Sequence, residues 1–221
     1  VPSTKWKREN LEQPWYLGET VITGIGQGYI QTTPLQLCLL TAQLANGGYK
    51  IKPNIIIENN ISFEEIKSKI KNNEALLNNK NILMEQEIKL YQKMYKNSNN
   101  IKFVLDAMFG STNEMYGTSF KSRIEDKKYQ FAGKTGTSQV KRITKKEREL
   151  DLDLSEIEYK NRDHALYIAF APYKNPRYSI SVIIEHGGSG SKSAAPIASK
   201  LIRKIIDRHD LREKLRKEMQ I

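Results

Sequence analysis

A chain of 221 residues is long enough for one good core and a further piece, and its 38% hydrophobic content is low for a single compact domain. Lys and Arg outnumber Asp and Glu by 36 to 25, a formal charge of +11, but acidic residues are spread among the basic ones. No basic stripe is interleaved with aromatics, so the excess reads as solvated faces and argues against a nucleic-acid or anionic-membrane surface. No apolar run reaches the roughly 18 residues a bilayer span needs, and the single cysteine, Cys38, excludes an internal disulfide and reads as core filler.

Residues 1–20 are polar, carry Trp6, Pro14 and Trp15, and read as an extended lead-in. The opening VPSTKWKREN is neither an initiator methionine nor a signal peptide and reads as the middle of a longer protein. Val21 to Tyr29, VITGIGQGY, reads as a tight loop. Its Gly26-x-Gly28 pair is a weak dinucleotide signal, because Gln31 stands where the third glycine belongs.

Thr33-Pro34-Leu35-Gln36 is a helix start: a cap, a first-turn proline and the partner of a capping box. Leu35, Leu37, Leu39, Leu40, Leu44 and Ala45 then cover nearly every face, which predicts a buried helix ended by Asn46-Gly47-Gly48. Tyr49 to Ile57 reads as a short extended segment broken by Pro53. Residues 58–100 are rich in Asn, Lys and Glu and read as a surface insertion. Within it Phe63, Ile66 and Ile70 suggest one short helix, and Met84, Ile88, Tyr91 and Tyr95 another. Phe103, Val104, Ala107 and Met108 mark a further helix that Gly110 should end.

Tyr129 to Ile143 is the first strong strand candidate. A charged stretch follows to residue 163, a second expected surface excursion. His164 to Ala171 and Tyr178 to Glu185 read as an antiparallel hairpin, the first run central because it is apolar on both faces. His186 to Ser193, HGGSGSKS, reads as a flexible loop. Ser193 then caps a helix on which Ile197, Leu201 and Ile205 align, with Ile202 and Ile206 widening the stripe. The charged tail, 207–221, either extends that helix or docks apart. Strands together with helices in this order give an α+β chain.

The strand candidate carries AGKTGTSQV, Ala132 to Val140. Lys134 offers a fixed positive charge, Thr135 and Thr137 hydroxyls, and Gly136 room for a molecule to lie against the main chain. A phosphate loop fails on spacing, since Lys128 stands where its first glycine is required, and on context, since no helix follows. A strand edge can pair with an extended peptide whose terminal carboxylate meets Lys134. The amide of Thr137 is suitably placed to serve as half of an oxyanion hole. These four residues fit a polar edge strand with a glycine bulge equally well.

The flanks break the tie. Gly18 to Gly48, Met108 to Ser119, Ala132 to Val140 and Arg162 to Pro172 resemble, in order, the class B penicillin-binding proteins, and most nearly the cell-elongation type called penicillin-binding protein 2. K-T-G is one of three motifs of such serine enzymes, beside S-x-x-K and S-D-N. The resemblance runs over nearly the whole chain and is weakest at 58–100 and 144–160.

The resemblance implies a partial transpeptidase/β-lactamase-like fold, an antiparallel sheet flanked by helices. It identifies residues 1–221 as the C-terminal portion of a transpeptidase domain. It further implies peptidoglycan D,D-transpeptidation, with stem peptides and β-lactams as ligands, without metal or cofactor. Lys134, Thr135 and Gly136 would line the donor site, and Thr137 would give the oxyanion amide. Implied partners are glycan-polymerising proteins of the elongation machinery. The implied location is the periplasmic face of the bacterial inner membrane, held by an N-terminal anchor outside this chain.

The nucleophile is the missing part. Family members place S-x-x-K far upstream of K-T-G, and only 133 residues precede Lys134. Ser68-x-x-Lys71 lies in an exposed polar stretch that cannot desolvate a lysine, and Ser189-x-x-Lys192 lies in a glycine loop after the K-T-G strand. Ser111-Thr112-Asn113 mimics S-x-N but sits too near Lys134. The attacking serine is therefore expected outside the chain. The alternatives are an inactive fragment of a split or decayed gene, retaining at most an interaction surface, and a β-lactamase, in which the Gly18–Gly48 segment would be unexpected. His164 reads as structural, His186 as a candidate for the site entrance and His209 as solvated, with no metal spacing among them. A sheet lacking its upstream cover predicts marginal stability.

Overall fold

The computed structural model describes residues 2–54, 92–141 and 153–218. Among these, five α-helices and three strands are regular: α1 (Thr4–Leu11), α2 (Leu17–Gly24), α3 (Pro34–Ala45), α4 (Ser98–Asn113), β1 (Ala132–Ser138), β2 (His164–Ala171), β3 (Tyr178–Ile184) and α5 (Ala195–Glu218). The strands form one antiparallel sheet in the order β1-β2-β3. The chain divides into two compact units. One is Val1–Cys38 with Lys134–Ile168 and Ile180–Ile221, the other Leu39–Gly133 with Ala169–Ser179.

The N-terminal lead-in is helical, not extended. Ser3 caps α1 by accepting from the amide of Trp6, and Glu12 ends it in the left-handed region at φ 53°. The run expected as a loop from Val21 begins as helix α2, which Glu19 opens by reaching back to the amide of Tyr16 at 2.7 Å. Lys7 holds the two helices together. Its ammonium, 1% exposed, pairs with Glu19 and lies over the rings of Tyr16 and Tyr29, and Trp6 packs on Tyr29. No residue of α2 is buried, and Leu17, Val21 and Ile25 are among the most exposed apolar side chains of the unit.

α3 starts as its sequence dictates: Thr33 Oγ1 accepts from the Gln36 amide at 3.2 Å, and Gln36 Oε1 from the Thr33 amide at 2.8 Å. It is not buried all round. Thr41 and Gln43 are its buried residues, while Leu35 and Leu40 face outward. Gly47 and Gly48 end it, with φ of 90° and 87°, and a side chain on Gly48 would run into the ring of Tyr95. Tyr49 pairs with Lys93 in an isolated antiparallel bridge, so Tyr95 follows an extended segment and is not helical. The helices expected around Phe63–Ile70 and Met84–Tyr91, and Ser68-x-x-Lys71, lie outside the described residues.

α4 passes through Gly110, where a stop was expected, and ends at Asn113. Gly110 is buried, and a Cβ there would press on the Glu114 carboxylate at 2.9 Å. In the same unit Tyr173 packs on Phe109 and Phe170 and donates to Asp106 at 3.0 Å.

β1 is shorter than the run that predicted it. β2 lies in the middle of the sheet, as its two apolar faces require, and a cis peptide joins Ala171 to Pro172 beyond it. A π-helical turn over Gly190–Ala194 leads into α5, which runs unbroken to Glu218, so the tail extends the helix. The buried stripe is Ala195, Ala198, Ile202 and Ile206, whereas Ile197 and Leu201 are exposed. Ile202 and Ile206, expected to widen the stripe, are its buried aliphatics, while Ile197 and Leu201 point outward; two alanines carry the other half of the buried stripe, allowing close approach of the backbone.

Candidate functional site

Residues 134–138 of β1 display Lys134, Thr135, Gly136 and Thr137 in consecutive positions, with Lys134 and Thr137 exposed and Thr135 and Gly136 half-buried. Alternation on a strand puts Lys134 and Gly136 on one face and the two threonines on the other. Lys134 Nζ donates to the Thr135 carbonyl at 2.8 Å, which draws the ammonium back along its own strand.

Close backbone approach explains Gly136. A Cβ built there would lie 3.3 Å from Leu166 Cβ on β2. Gly190, at the start of the π-helical turn, crosses the same place: a Cβ on it would meet the Leu166 carbonyl at 2.4 Å and the Gly136 carbonyl at 2.7 Å. Two glycines therefore let the post-β3 turn lie directly on the K-T-G strand.

That turn is tied to the beginning of β2. Asp163 accepts from the Gly188 amide with its carbonyl at 2.8 Å and from the Val140 amide, just past β1, with its carboxylate at 3.2 Å. His164 Nδ1 accepts from the His186 amide at 2.9 Å, and His186 Nδ1 lies 3.0 Å from the Arg162 carbonyl. The two imidazole rings meet edge to face at 4.7 Å, with Tyr159 against His186. These contacts assign His164 Nδ1 as an acceptor and His186 Nδ1 as a donor. His164 is structural, as its sequence position suggests, and His186 braces the turn at φ 55°. His209 pairs with Glu213 one helical turn on, not with solvent alone.

The serine candidates take structural places. Ser189 Oγ pairs with Ser191 at 3.0 Å, and Lys192 is exposed, so this pair lacks the desolvated lysine a base requires. Ser193 does not cap α5; its hydroxyl donates to the Gly187 carbonyl at 2.7 Å. In the other unit Thr112 and Asn113 serve the strand entry. Thr112 Oγ1 accepts from the Gly133 amide at 3.0 Å, and Asn113 Nδ2 donates to the Phe131 carbonyl at 2.9 Å. Ser111 pairs with Thr118 at 3.2 Å.

Gln27, Asp163 and Gly190 were missed from sequence. Gln27 Nε2 donates to the Thr137 carbonyl at 3.4 Å across 110 residues. Its signal was present in the flanking Gly26 and Gly28, whose φ of 77° and 78° fix the loop that presents it. No group of metal-ligating side chains occurs among the described residues, and none of their helices is long and apolar enough to cross a membrane.

Residues 4–203 match the model of the penicillin-binding protein transpeptidase domain family. The chain is 33% identical over 207 residues to the peptidoglycan D,D-transpeptidase MrdA of Salmonella typhimurium, covering 94% of this chain and 30% of that protein. It is 31% identical to MrdA of Haemophilus influenzae, over 91% of this chain and 28% of that protein. Among solved structures it superposes on penicillin-binding protein 2 of Helicobacter pylori, in complex with MreC, with TM-score 0.68 and 28% identity, over 93% of this chain and 30% of that one. Penicillin-binding protein 2 of Pseudomonas aeruginosa, in complex with WCK 5153, gives TM-score 0.61 and 30% identity over 91% of this chain and 35% of that one. The chain thus spans about a third of the length of these relatives.

Proposed function

Because the chain belongs to the penicillin-binding protein transpeptidase family, we propose that it serves peptidoglycan D,D-transpeptidation as part of a longer protein, with residues 134–137 as the donor-site wall. The observation that supports this most directly is the exposed Lys134 beside Thr135-Gly136-Thr137 on β1, which among the described residues is an end strand of the sheet. An extended stem peptide lies along this strand. The Lys134 ammonium turns from the Thr135 carbonyl to the peptide's terminal carboxylate, exchanging a neutral acceptor for a charged one. The Thr135 and Thr137 hydroxyls flank it, and the Thr137 amide points at the oxygen on which charge develops during acyl transfer, an interaction worth about 3 kcal/mol per donor. β-Lactams occupy the same place.

The attacking serine and its lysine base come from a polypeptide segment outside these residues. By the same reading the parent acts on the periplasmic side of the inner membrane, anchored through an N-terminal segment. It works with glycan-polymerising partners in elongation and so maintains cell shape.

Labelled penicillin tests this. In the full-length parent carrying this chain, Lys134→Ala lowers the acylation rate roughly tenfold to a hundredfold, the factor set by loss of a charge-assisted hydrogen bond worth about 1.5–3 kcal/mol. Unchanged acylation by Lys134→Ala would remove the residue, and with it the proposed donor wall.

A further inference from the structure

Two carbonyls of β1 are already in use. Lys134 Nζ occupies that of Thr135 at 2.8 Å and Gln27 Nε2 that of Thr137 at 3.4 Å. Residues two apart on a strand direct their main-chain groups to the same side, so both carbonyls lie along one edge. Among the described residues β1 has β2 as its one neighbour in the sheet, and a Cβ on the intervening Gly136 would lie 3.3 Å from Leu166 Cβ of β2. Because side-chain donors reach both carbonyls, the edge that bears them is turned away from β2, and an extended peptide would join it there.

We propose that Gln27 is a further donor-site residue whose carboxamide stands in for a backbone amide of the donor peptide, closing the Thr137 carbonyl until that amide displaces it. This rests on the donor-site reading given above. An antiparallel pair uses both the N–H and the C=O of the same residue. A peptide whose carbonyl takes the Thr137 amide thus brings an N–H to the Thr137 carbonyl, where Gln27 now sits. A primary carboxamide offers the same N–H chemistry as a peptide group.

The geometry favours exchange. At 3.4 Å the Gln27 contact is longer than an ordinary N–H···O bond of about 2.9 Å, so a well-placed backbone amide outcompetes it. The Gln27 backbone need not move, since its own amide is held by the Ile22 carbonyl at 3.0 Å between Gly26 and Gly28. The side chain alone swings away. The cap also makes the edge selective: a ligand without an N–H at that position has nothing to offer the Thr137 carbonyl, so Gln27 stays in place and that ligand forgoes the main-chain bond. In the unliganded chain the same contact protects an open strand edge from pairing with another chain.

The test is a titration of the 15N-labelled chain with diacetyl-L-lysyl-D-alanyl-D-alanine and with its depsipeptide counterparts, each having one backbone N–H replaced by an ester oxygen. Shifts of residues 135–138 give the affinities. Gln27→Ala is expected to tighten the all-amide peptide about 2- to 10-fold, and one ester analogue is expected to lose that gain. Tightening of every analogue by one common factor, or weaker binding by Gln27→Ala, would overturn the proposal. A response that depends on Lys134 but is indifferent to Gln27 overturns the proposal and leaves the donor wall standing. Absence of any response at residues 135–138, in the wild type and in Gln27→Ala, removes the donor wall itself.

Discussion

Thr112, wholly buried on α4, accepts from the amide of Gly133 at 3.0 Å, the residue immediately before the lysine of the K-T-G run. Its hydroxyl also lies near the Gly133 carbonyl at 3.5 Å and Ser119 Oγ at 3.3 Å. One side chain thus supplies a partner to the main chain where β1 begins. Thr112→Val keeps the shape and deprives the buried Gly133 amide of its acceptor, at a cost of about 1–3 kcal/mol. Urea unfolding of the variant should show the loss in midpoint at unchanged slope, and the amide of Gly133 should exchange faster with solvent.

The Lys7–Glu19 pair predicts acid sensitivity. The hydrogen bond from Lys7, then that from the Tyr16 amide, holds the Glu19 carboxyl below the usual carboxylate range. A carboxylate depressed in the folded chain contributes stability above its unfolded pKa and loses it as pH falls through the folded value. Thermal unfolding followed from pH 6 downward should therefore show a loss setting in below the ordinary Glu range, near pH 4.3. Glu19→Gln should shrink that loss, while Glu9→Gln, altering the exposed Lys5–Glu9 pair, should leave it in place.

The two sides of α5 separate core from surface. Ile206 is 0% exposed and Leu201 40% exposed. Ile206→Ala should cost about 2–5 kcal/mol, since it removes buried methylenes and leaves a cavity. Leu201→Ala should cost well under half of that. Equal losses in chemical denaturation would contradict the buried stripe of Ala195, Ala198, Ile202 and Ile206.

Gly190 is a steric keystone of the turn on β1. Gly190→Ala places a methyl within 2.4 Å of the Leu166 carbonyl and 2.7 Å of the Gly136 carbonyl, so backbone must shift. The expected destabilisation is about 1–3 kcal/mol, as for overpacking elsewhere. Amide shifts should move at residues 135–138 as well as in the turn. A variant as stable as the wild type, with β1 amides unmoved, would show that the two segments do not touch.

The hairpin was legible because β2 and β3 are apolar runs separated by a short proline-containing turn, and their ends fell within a residue of expectation. The start of α3 was legible because Thr33 and Gln36 stand three residues apart around a first-turn proline, which is the pattern of a capping box. α1 and α2 were not. Their helicity depends on Ser3, on Glu19 reaching Tyr16 and on Lys7 buried under aromatics, and a lysine in a polar stretch does not announce burial. Likewise Gly110 reads as a stop although it is a buried position within α4. Within the candidate site, the strand that bears Lys134 to Thr137 could be read directly. Asp163 and Gly190 could not, because each acts through a main-chain atom of a distant segment and main-chain atoms leave no trace in residue type, and Gln27 was marked only by the glycines on either side of it.

The bare apolar side of α2 has a consequence for the chain in solution. A net charge of +11 sets up long-range repulsion between molecules, and at low ionic strength that repulsion keeps Leu17, Val21 and Ile25 of one copy away from those of another. Near 0.15 M salt the screening length falls to about 8 Å, and short-range attraction between greasy helices takes over. The colloidal behaviour is thus inverted from that of a protein held together by surface ion pairs: dilution of buffer salt disperses it, and added salt draws it into clusters.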